Sequence, residues 1–327
     1  MNTYDNILDL VGRTPLVRLR TGIPEGCPPA YVKLEFYNPT ASVKDRMTSY
    51  VLQKAVKDGR LKAGDTVIDN TSGNTGSALA MAACVLGLKT IVTAPVKTSK
   101  EKLDLIRSFG AEVIVTPETE HDDPEGYYEV ARRLAKEHGY FDLDQYDNQE
   151  NVEAHYNITG PEVWNDTDGR ITHFVCGIGT GGTFSGTSRY LKEQNPKVQC
   201  IAVDPEGSLF RDLIEGSHEI EPRSYKIEGI GSDVMTKAMH AQYVDRLITV
   251  SDGPAFRRAR LIARTEGISG GGSSGAVAIA MEQVAQELGP EDLMVGVFAD
   301  GGLKYLSKCY NDDWMREHGF LEDEENN

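Results

Sequence analysis

The sequence predicts a two-lobed α/β fold in which each lobe is a mainly parallel sheet with flanking helices. Two observations carry this expectation. Short apolar runs of strand length alternate with longer segments whose apolar residues recur at three- and four-residue spacing, and 327 residues exceed the usual length of one domain. Such alternation places parallel strands beneath covering helices. In chain order the strands are Thr66-Val-Ile-Asp69, Thr90-Ile-Val-Thr93, Glu112-Val-Ile-Val115, His173-Phe-Val-Cys176, Gln199-Cys-Ile-Ala-Val203 and Leu293-Met-Val-Gly-Val-Phe298. Helical spacing runs over 47–57, 77–86, 99–109 and 126–138. The units fall into two sets, at 65–140 and 170–300, and the polar stretch 142–157 is the candidate junction between them. No repeat of fixed period is present, and the acidic end 322–327 reads as frayed.

Composition narrows the function. Apolar residues at 39% and charged residues at 26% are those of a folded globular chain. Acidic residues outnumber basic ones 50 to 34, a formal charge of −16, which repels phosphate backbones and anionic lipid, so nucleic acid and membrane partners are not expected. The five cysteines lack C-x-x-C spacing and their odd number cannot close a complete disulfide framework, so they read as reduced thiols. No basic head with an apolar run opens the chain and no stretch has the length of a membrane span, which implies a cytoplasmic protein.

Three glycine-rich turns each follow an extended segment and precede a helical one: Thr71-Ser-Gly-Asn-Thr-Gly76, Gly177-Ile-Gly-Thr-Gly-Gly-Thr183 and Gly270-Gly-Gly-Ser-Ser-Gly275. Ligands of open α/β sheets sit at such turns. In the second, backbone N–H groups of Gly179, Thr180, Gly181, Gly182 and Thr183 converge on an anion at a helix N-terminus, with two threonine hydroxyls as further donors. The same glycines also suit a simple tight turn. A nucleotide loop is a weaker reading, since no G-x-x-x-x-G-K-[ST] run exists and Asp204 meets only loosely the acidic position expected for a ribose. No metal-ligand cluster is read from the sequence. Lys44 lies in Asn38-Pro-Thr-Ala-Ser-Val-Lys-Asp-Arg46, a Pro-initiated loop running into the 47–57 helix, and by composition alone it is an ordinary surface ammonium.

Resemblance to a known family changes that reading. Ser42-Val-Lys-Asp-Arg46, the 71–76 loop, the 179–183 loop and Gly272-Ser-Ser-Gly275 succeed one another as in the β-family (fold type II, tryptophan synthase β-like) of pyridoxal 5′-phosphate (PLP) enzymes. From Ile7-Leu-Asp-Leu-Val-Gly-Arg-Thr-Pro-Leu-Val-Arg18 to about Leu321 the chain resembles the cystathionine β-synthase and cysteine synthase group. The resemblance implies a larger phosphate-binding domain, residues 1–40 and 146–327, and a smaller, partly mobile domain, 41–145, that carries Lys44 and the substrate carboxylate loop. It also implies PLP as cofactor, held as a Schiff base on Lys44, which then acts as base at the substrate Cα. Asn74 would bond the cofactor's ring oxygen, the 179–183 loop its phosphate, and Ser273 its pyridine nitrogen. Thr71, Ser72, Thr75 and Gln145 would hold the substrate carboxylate, with Tyr146 and Gly229 beside the substrate. A neutral serine against the pyridine nitrogen makes a shallower electron sink than a carboxylate would, which favours β-elimination to an aminoacrylate and thiol addition at Cβ. As a helix N-cap on 275–278, Ser273 has a structural reading as well, and Tyr146 one as a buried aromatic with a satisfied hydroxyl. The segment 98–112 matches a part of the small lobe that closes over substrate in relatives.

Within the group, Asp204-Pro-Glu-Gly-Ser208, Glu228-Gly-Ile-Gly231 and the stretch from Tyr305-Leu-Ser-Lys to Gly319-Phe-Leu321 resemble cystathionine β-synthase more than cysteine synthase. The expected reaction is L-serine, or an activated serine, with L-homocysteine to L-cystathionine. An O-acetylserine or O-phosphoserine sulfhydrylase, and a catalytically silent relative, stand behind it. Ser232 and Gly301-Gly302-Leu303 depart from the group's usual residues, which bears on the thiol and not on the cofactor. The chain begins almost at the catalytic core and lacks an amino-terminal Cys/His segment, so no haem is expected, nor a carboxy-terminal regulatory pair. The expected partners are small-molecule amino-acid and thiol substrates, in a homodimer.

Overall fold

The computed structural model describes residues 3–71, 73–96, 98–117, 119, 123–217 and 223–321. Along the chain run β1 (Leu16–Leu19), β2 (Ala30–Leu34), α1 (Lys44–Lys57), β3 (Thr66–Asn70), α2 (Asn74–Val85), β4 (Lys89–Pro95), α3 (Lys100–Ser108), β5 (Glu112–Thr116), α4 (Tyr127–His138) and β6 (Phe141–Asp142). There follow α5 (Gln149–Ala154), a π-helical turn (His155–Thr159), α6 (Gly160–Asp166), β7 (His173–Gly177), α7 (Gly182–Gln194), β8 (Gln199–Pro205), α8 (Phe210–Glu215), β9 (Arg246–Val250), α9 (Asp252–Glu266), α10 (Gly272–Ala285), β10 (Met294–Phe298) and α11 (Asp312–Glu317).

Two sheets result. One has the order β5-β4-β3-β6 and is wholly parallel; the other has the order β1-β2-β10-β7-β8-β9, with β1 antiparallel at its edge. The predicted strands other than the edge strand β5 are buried on both faces, as parallel strands covered by helices must be: Val67, Ile68, Val92, Phe174, Val175, Ile201 and Val203 are all within the core, whereas Val115 of β5 is exposed. Each such side chain contributes about 1.5–3 kcal/mol on burial. Helix α4 shows the amphipathic logic in small compass. Its buried residues Val130, Ala131 and Ala135 share one face, and it ends at Gly139, whose φ of 68° supplies the left-handed cap. No helix among the described residues is long and apolar enough to cross a membrane.

Four strands escape a reading by apolar pattern. Strand β2 carries Lys33 inside the protein, where its ammonium reaches the Thr14 carbonyl (2.9 Å), Asp166 (2.9 Å) and Glu162 (3.2 Å). A charge at that position breaks the apolar run. Strand β1 is four residues with Arg18 exposed, β6 is two residues, and β9 is an edge strand with an alternating pattern. The stretch 142–157, read as a junction, does lead from β6 toward β7, but from Gln149 it is helix: α5 and the start of the π turn, which runs on into α6 without a break.

The two sheets are tied at the start of α1. Val43 N donates to Ala299 O at 2.8 Å and Ser42 bridges Asp300, so the chain before α1 is stitched to the carboxyl end of β10. Helix α1 begins at Lys44 itself, three residues before its sequence-predicted start, and Lys44 is therefore its first residue. Ala41, just before, is held at φ 57°, a strained value for a residue with a Cβ. What holds it is an internal ionic cluster. The Arg46 guanidinium, wholly buried, donates to both oxygens of the equally buried Glu35 (2.6 and 2.9 Å) and to both of Glu162 (2.9 and 2.8 Å). Thr14 and Asn38 complete the shell of Glu35. Partial burial alone would raise the Glu162 carboxyl, yet the hydrogen bonds and charge of Arg46, with the charge of Lys33, take it down to about 2.

Arg46→Met is expected to strand Glu35 in the interior and to destabilise the chain by about 3–5 kcal/mol in urea titrations. The Glu162 carboxyl is depressed on folding, so its contribution is complete above its ordinary value of 4.5 and is lost as pH falls toward about 2. Acid-unfolding curves should lose stability across that window, and the loss should flatten in Arg46→Met.

Candidate active site

Strand β7 ends at Gly177 and the chain turns through Gly179, Thr180 and Gly181 into α7. Gly181 has a φ of 90°, and a Cβ there would lie 2.5 Å from Met239 Cα; one at Gly179 would lie 2.5 Å from Gly229 O. Gly182 opens α7 against the Asn151 amide, with no room for a side chain. Glycine is thus demanded by close packing at three points of one turn, 179, 181 and 182, more than a tight turn alone requires. The first-turn N–H groups of a helix have no intrahelical acceptor and face an anion in this geometry. Thr180 is fixed from both ends: its hydroxyl accepts from Asn151 Nδ2 (3.1 Å) and its carbonyl from the Thr236 hydroxyl (2.7 Å). The Thr183 hydroxyl lies 3.1 Å from His155 Nε2, while His155 Nδ1 lies 2.8 Å from the Thr159 hydroxyl. Burial, with the charges of Arg46 and Lys44, pushes His155 well below its ordinary value, so it is a neutral spacer.

One cavity brings together Lys44, Gly179, Thr180, Gly181, Thr183 and Ser273, with Gly229. Its remaining walls are largely apolar, from residues such as Ile230, Val277 and Val297. Burial lowers the Lys44 amine from its ordinary value, opposed by the charge of Asp300 and by Cys176. The Cys176 thiol, in the same cavity, is pushed up to about 12 by burial. Ser273 is the second residue of α10 and lies within the helix; the cap position is Gly271, which has no side-chain bond. The N-cap reading of Ser273 is therefore corrected, because α10 starts three residues before the 275–278 segment on which that reading placed it. Gly229 keeps a φ of 86° with open space where a Cβ would stand, so backbone conformation and not crowding calls for glycine there.

The residues of the first glycine turn form a second group at the amino end of α2. Thr75 donates to Gln145 Oε1 (2.8 Å), and Gln145 Nε2 donates to Asp69 Oδ2 (3.0 Å) and Asn70 O (3.1 Å). Thr71 is buried beside them and its hydroxyl accepts from Gly73 N (3.2 Å). Burial, reinforced by the charge of Asp142, holds Asp69 well above its ordinary range. Tyr146 accepts from the Tyr128 hydroxyl (3.0 Å), and burial pushes both phenols up. Ser72 lies outside the described residues. Asn74 connects the two groups, since its Nδ2 donates to Asp300 Oδ2 at 2.7 Å and Asp300 faces Lys44 electrostatically.

Sequence reasoning missed Asp300 and Lys304, which bond Asn74, Tyr305, which bonds Asp300, and Asn151, His155 and Thr236, which hold the glycine loop. It also missed an ion cluster beside the 71–76 loop. Glu228 binds Lys102 of α3 and Lys308 (2.5 Å), and Lys102 lies against Gly73 and 5.2 Å from the centre of the Tyr305 ring. Lys102, Glu228, Tyr305 and Lys308 fall in segments the resemblance covers, but their pairings do not show in sequence, because Glu228 meets Lys102 and Lys304 meets Asn74 only once distant segments fold together.

A buried amine facing a helix-terminal anion loop, with a hydroxyl on the adjoining helix, matches an aldehyde, a phosphate and a ring nitrogen in turn. The family described as pyridoxal-phosphate dependent enzyme matches residues 7–300, and the chain belongs to it. More particularly, it is 42% identical over 323 residues to a cystathionine beta-synthase of Apis mellifera, covering 97% of this chain and 63% of that protein. It is 38% identical over 304 residues to a cysteine synthase of Staphylococcus aureus, covering 93% and 96%. An O-acetylserine dependent cystathionine beta-synthase from Helicobacter pylori superposes with a TM-score of 0.86 at 36% identity, over 94% of this chain and 99% of that one. The chain spans less than two thirds of the length of the cystathionine beta-synthases of Apis mellifera and Saccharomyces cerevisiae.

Gly181→Ala should lower the cofactor retained per chain, with affinity falling about tenfold or more from overpacking against Met239. In the cofactor-free chain, Lys44 should capture pyridoxal 5′-phosphate with a rate that levels off at lower pH than for an exposed lysine, since its neutral amine persists to lower pH. Borohydride trapping at neutral pH should place the label on Lys44; a spread over surface lysines would refute the lowered basicity.

Proposed function

We propose that the chain catalyses β-replacement on L-serine or an activated serine, exchanging the β-substituent for a thiol, with L-homocysteine as the thiol and L-cystathionine as the product. The observation that carries the first part is the buried Lys44 amine sharing one cavity with the 179–183 loop and Ser273. When bound, pyridoxal phosphate supplies an electron-withdrawing ring conjugated to the substrate Cα. Lys44 would anchor it, the Gly179–Thr183 backbone and the Thr180 and Thr183 hydroxyls would seat its phosphate, Ser273 would face its ring nitrogen, and Asn74 its ring oxygen.

The residues of the chain then divide the work. Lys44 Nζ, kept less basic by burial, takes the proton from Cα and returns it to the same carbon once the new Cβ–S bond has formed. The amino end of α2 and the Thr75 hydroxyl, steadied by Gln145, would orient the substrate carboxylate. Ser273 offers a hydroxyl and no charge, so nothing on this side holds an added proton on the ring. The apolar walls keep water from the reacting carbons.

The thiol is argued from the ion cluster beside the 71–76 loop. Lys102, Lys308 and Glu228 suit a second amino acid, which brings both a carboxylate and an ammonium, whereas sulfide needs neither. The second reading, a cysteine synthase, is favoured by the match along 96% of the Staphylococcus aureus enzyme.

Steady-state rates with serine plus homocysteine, O-acetylserine plus homocysteine, and O-acetylserine plus sulfide decide between them. Cystathionine formed with the higher kcat/KM is expected; cysteine from sulfide as the preferred product would overturn the thiol assignment. Lys44→Ala should lower either rate by about 10⁴-fold, the upper range for loss of a general base.

A further inference from the structure

We propose that Lys304 is a positioning residue that fixes the orientation of the Asn74 carboxamide and so determines which amide N–H is presented to the cofactor. The proposal deepens the reading above and rests on it for the role of Asn74. Lys304 lies in a 3-10 turn, Gly302–Tyr305, which follows β10 after the short stretch 299–301. That turn is tightly held. Gly302 N donates to Ser269 O at 2.9 Å, a Cβ on Gly302 would collide with the Ser269 side chain, and the Tyr305 hydroxyl donates to Asp300 Oδ2 at 2.5 Å. The direction of the Lys304 side chain follows from it, and the ammonium meets Asn74 Oδ1 at 2.6 Å.

Asn74 is thereby gripped on both sides by ions of opposite sign. Lys304 is only a donor and takes the amide oxygen; Asp300 accepts from the amide nitrogen at 2.7 Å. Rotating the amide by half a turn would set an NH₂ group against an ammonium and a carbonyl oxygen against a carboxylate. Both contacts would then be repulsive, so a single orientation survives. It leaves one Nδ2 hydrogen uncommitted. The surroundings make the grip strong: Asp300 is buried and its Oδ1 has no hydrogen-bond partner among the described residues, and Lys304 is itself largely enclosed, with Asp300, Asp45, Lys102 and Lys44 as its charged neighbours. Charge-assisted bonds in such a medium exceed neutral ones about twofold. An asparagine held only by solvent would sample both orientations and present oxygen to the cofactor's ring oxygen part of the time.

The test uses the full chain loaded with pyridoxal phosphate. Lys304→Met, Asn74→Ala and the double variant are compared with the parent by the ratio of visible to near-ultraviolet cofactor absorbance, by cofactor content, and by kcat and KM for the amino acid. Lys304→Met should keep its cofactor, shift absorbance toward the near-ultraviolet band, and lose about tenfold in kcat, the worth of one charge-assisted hydrogen bond, with KM within about twofold. In the Lys304→Met background, Asn74→Ala should cost at most about twofold more. Lys304→Arg, which keeps the charge and the donor, should restore most of the visible band. An unchanged spectrum in Lys304→Met, or losses that multiply fully in the double variant, would overturn the proposal while leaving the assigned reaction intact. A parent chain that takes up cofactor without any visible band would overturn the cofactor reading and this proposal together.

Discussion

The guanidinium of Arg46, closed off from water against Glu35 and Glu162, is the constraint on which the place of Lys44 depends. Two residues apart in the first turn of α1, they move together. Removing these ions from water costs several kcal/mol per charge, and only close, multiple hydrogen bonding offsets it. Segment 35–46 therefore cannot drift without exposing the mismatch. The same rigidity tolerates the strained Ala41 and keeps the backbone of Ser42 and Val43 against the end of β10. The Lys44 amine is delivered to the cavity by charges that do not themselves line it.

Around that amine the protein manages charge by sharing few carboxylates among many lysines. Asp300 answers Lys44 and Lys304 and accepts from Asn74 and Tyr305; Glu228 answers Lys102 and Lys308. Desolvation lowers the basicity of both Lys44 and Lys304, and of the two it is Lys44 that lines the cavity of the 179–183 loop. The Lys44 amine is pulled by desolvation toward neutrality, as the proposed role of base requires. Lys102 and Lys308 retain a carboxylate at contact distance. The distribution separates an amine made less basic by burial from ammoniums paired with a carboxylate within one small region.

The anion loop rests on a different principle, close approach. Gly179, Gly181 and Gly182 are pressed against Gly229, Met239 and Asn151, so the loop has no freedom to collapse into its own cavity. Neutral His155, in the π-helical turn, and Thr236 hold the two threonines from behind. A π turn at this point lets a helix in contact with α7 aim a side chain at the loop. The loop is thus preorganised by packing on three sides, and the orientation of its donors does not depend on a ligand.

Much of this was legible along the chain. The six strands with β-branched apolar runs, the helices over 99–109 and 126–138, the glycine turns and the motif around Lys44 are local signals, because periodicity and turn chemistry are properties of neighbouring residues. Strands β1, β2, β6 and β9 were not legible: Lys33 interrupts β2 with an ion pair that exists only when Glu162 and Asp166 fold beside it, and two residues cannot display a period. Ser273 read as a cap because the helix start is set by packing of Gly272 and Gly275 against α9, not by a local signal. The sequence by itself determined which chemical groups the protein holds, an amine, an anion loop and hydroxyl donors, since these are encoded in contiguous motifs. Only the tertiary structure decided how basic the amine is, which way Asn74 faces and which ions sit beside the 71–76 loop, since burial and partnership across two sheets arise from contacts between residues far apart in the chain.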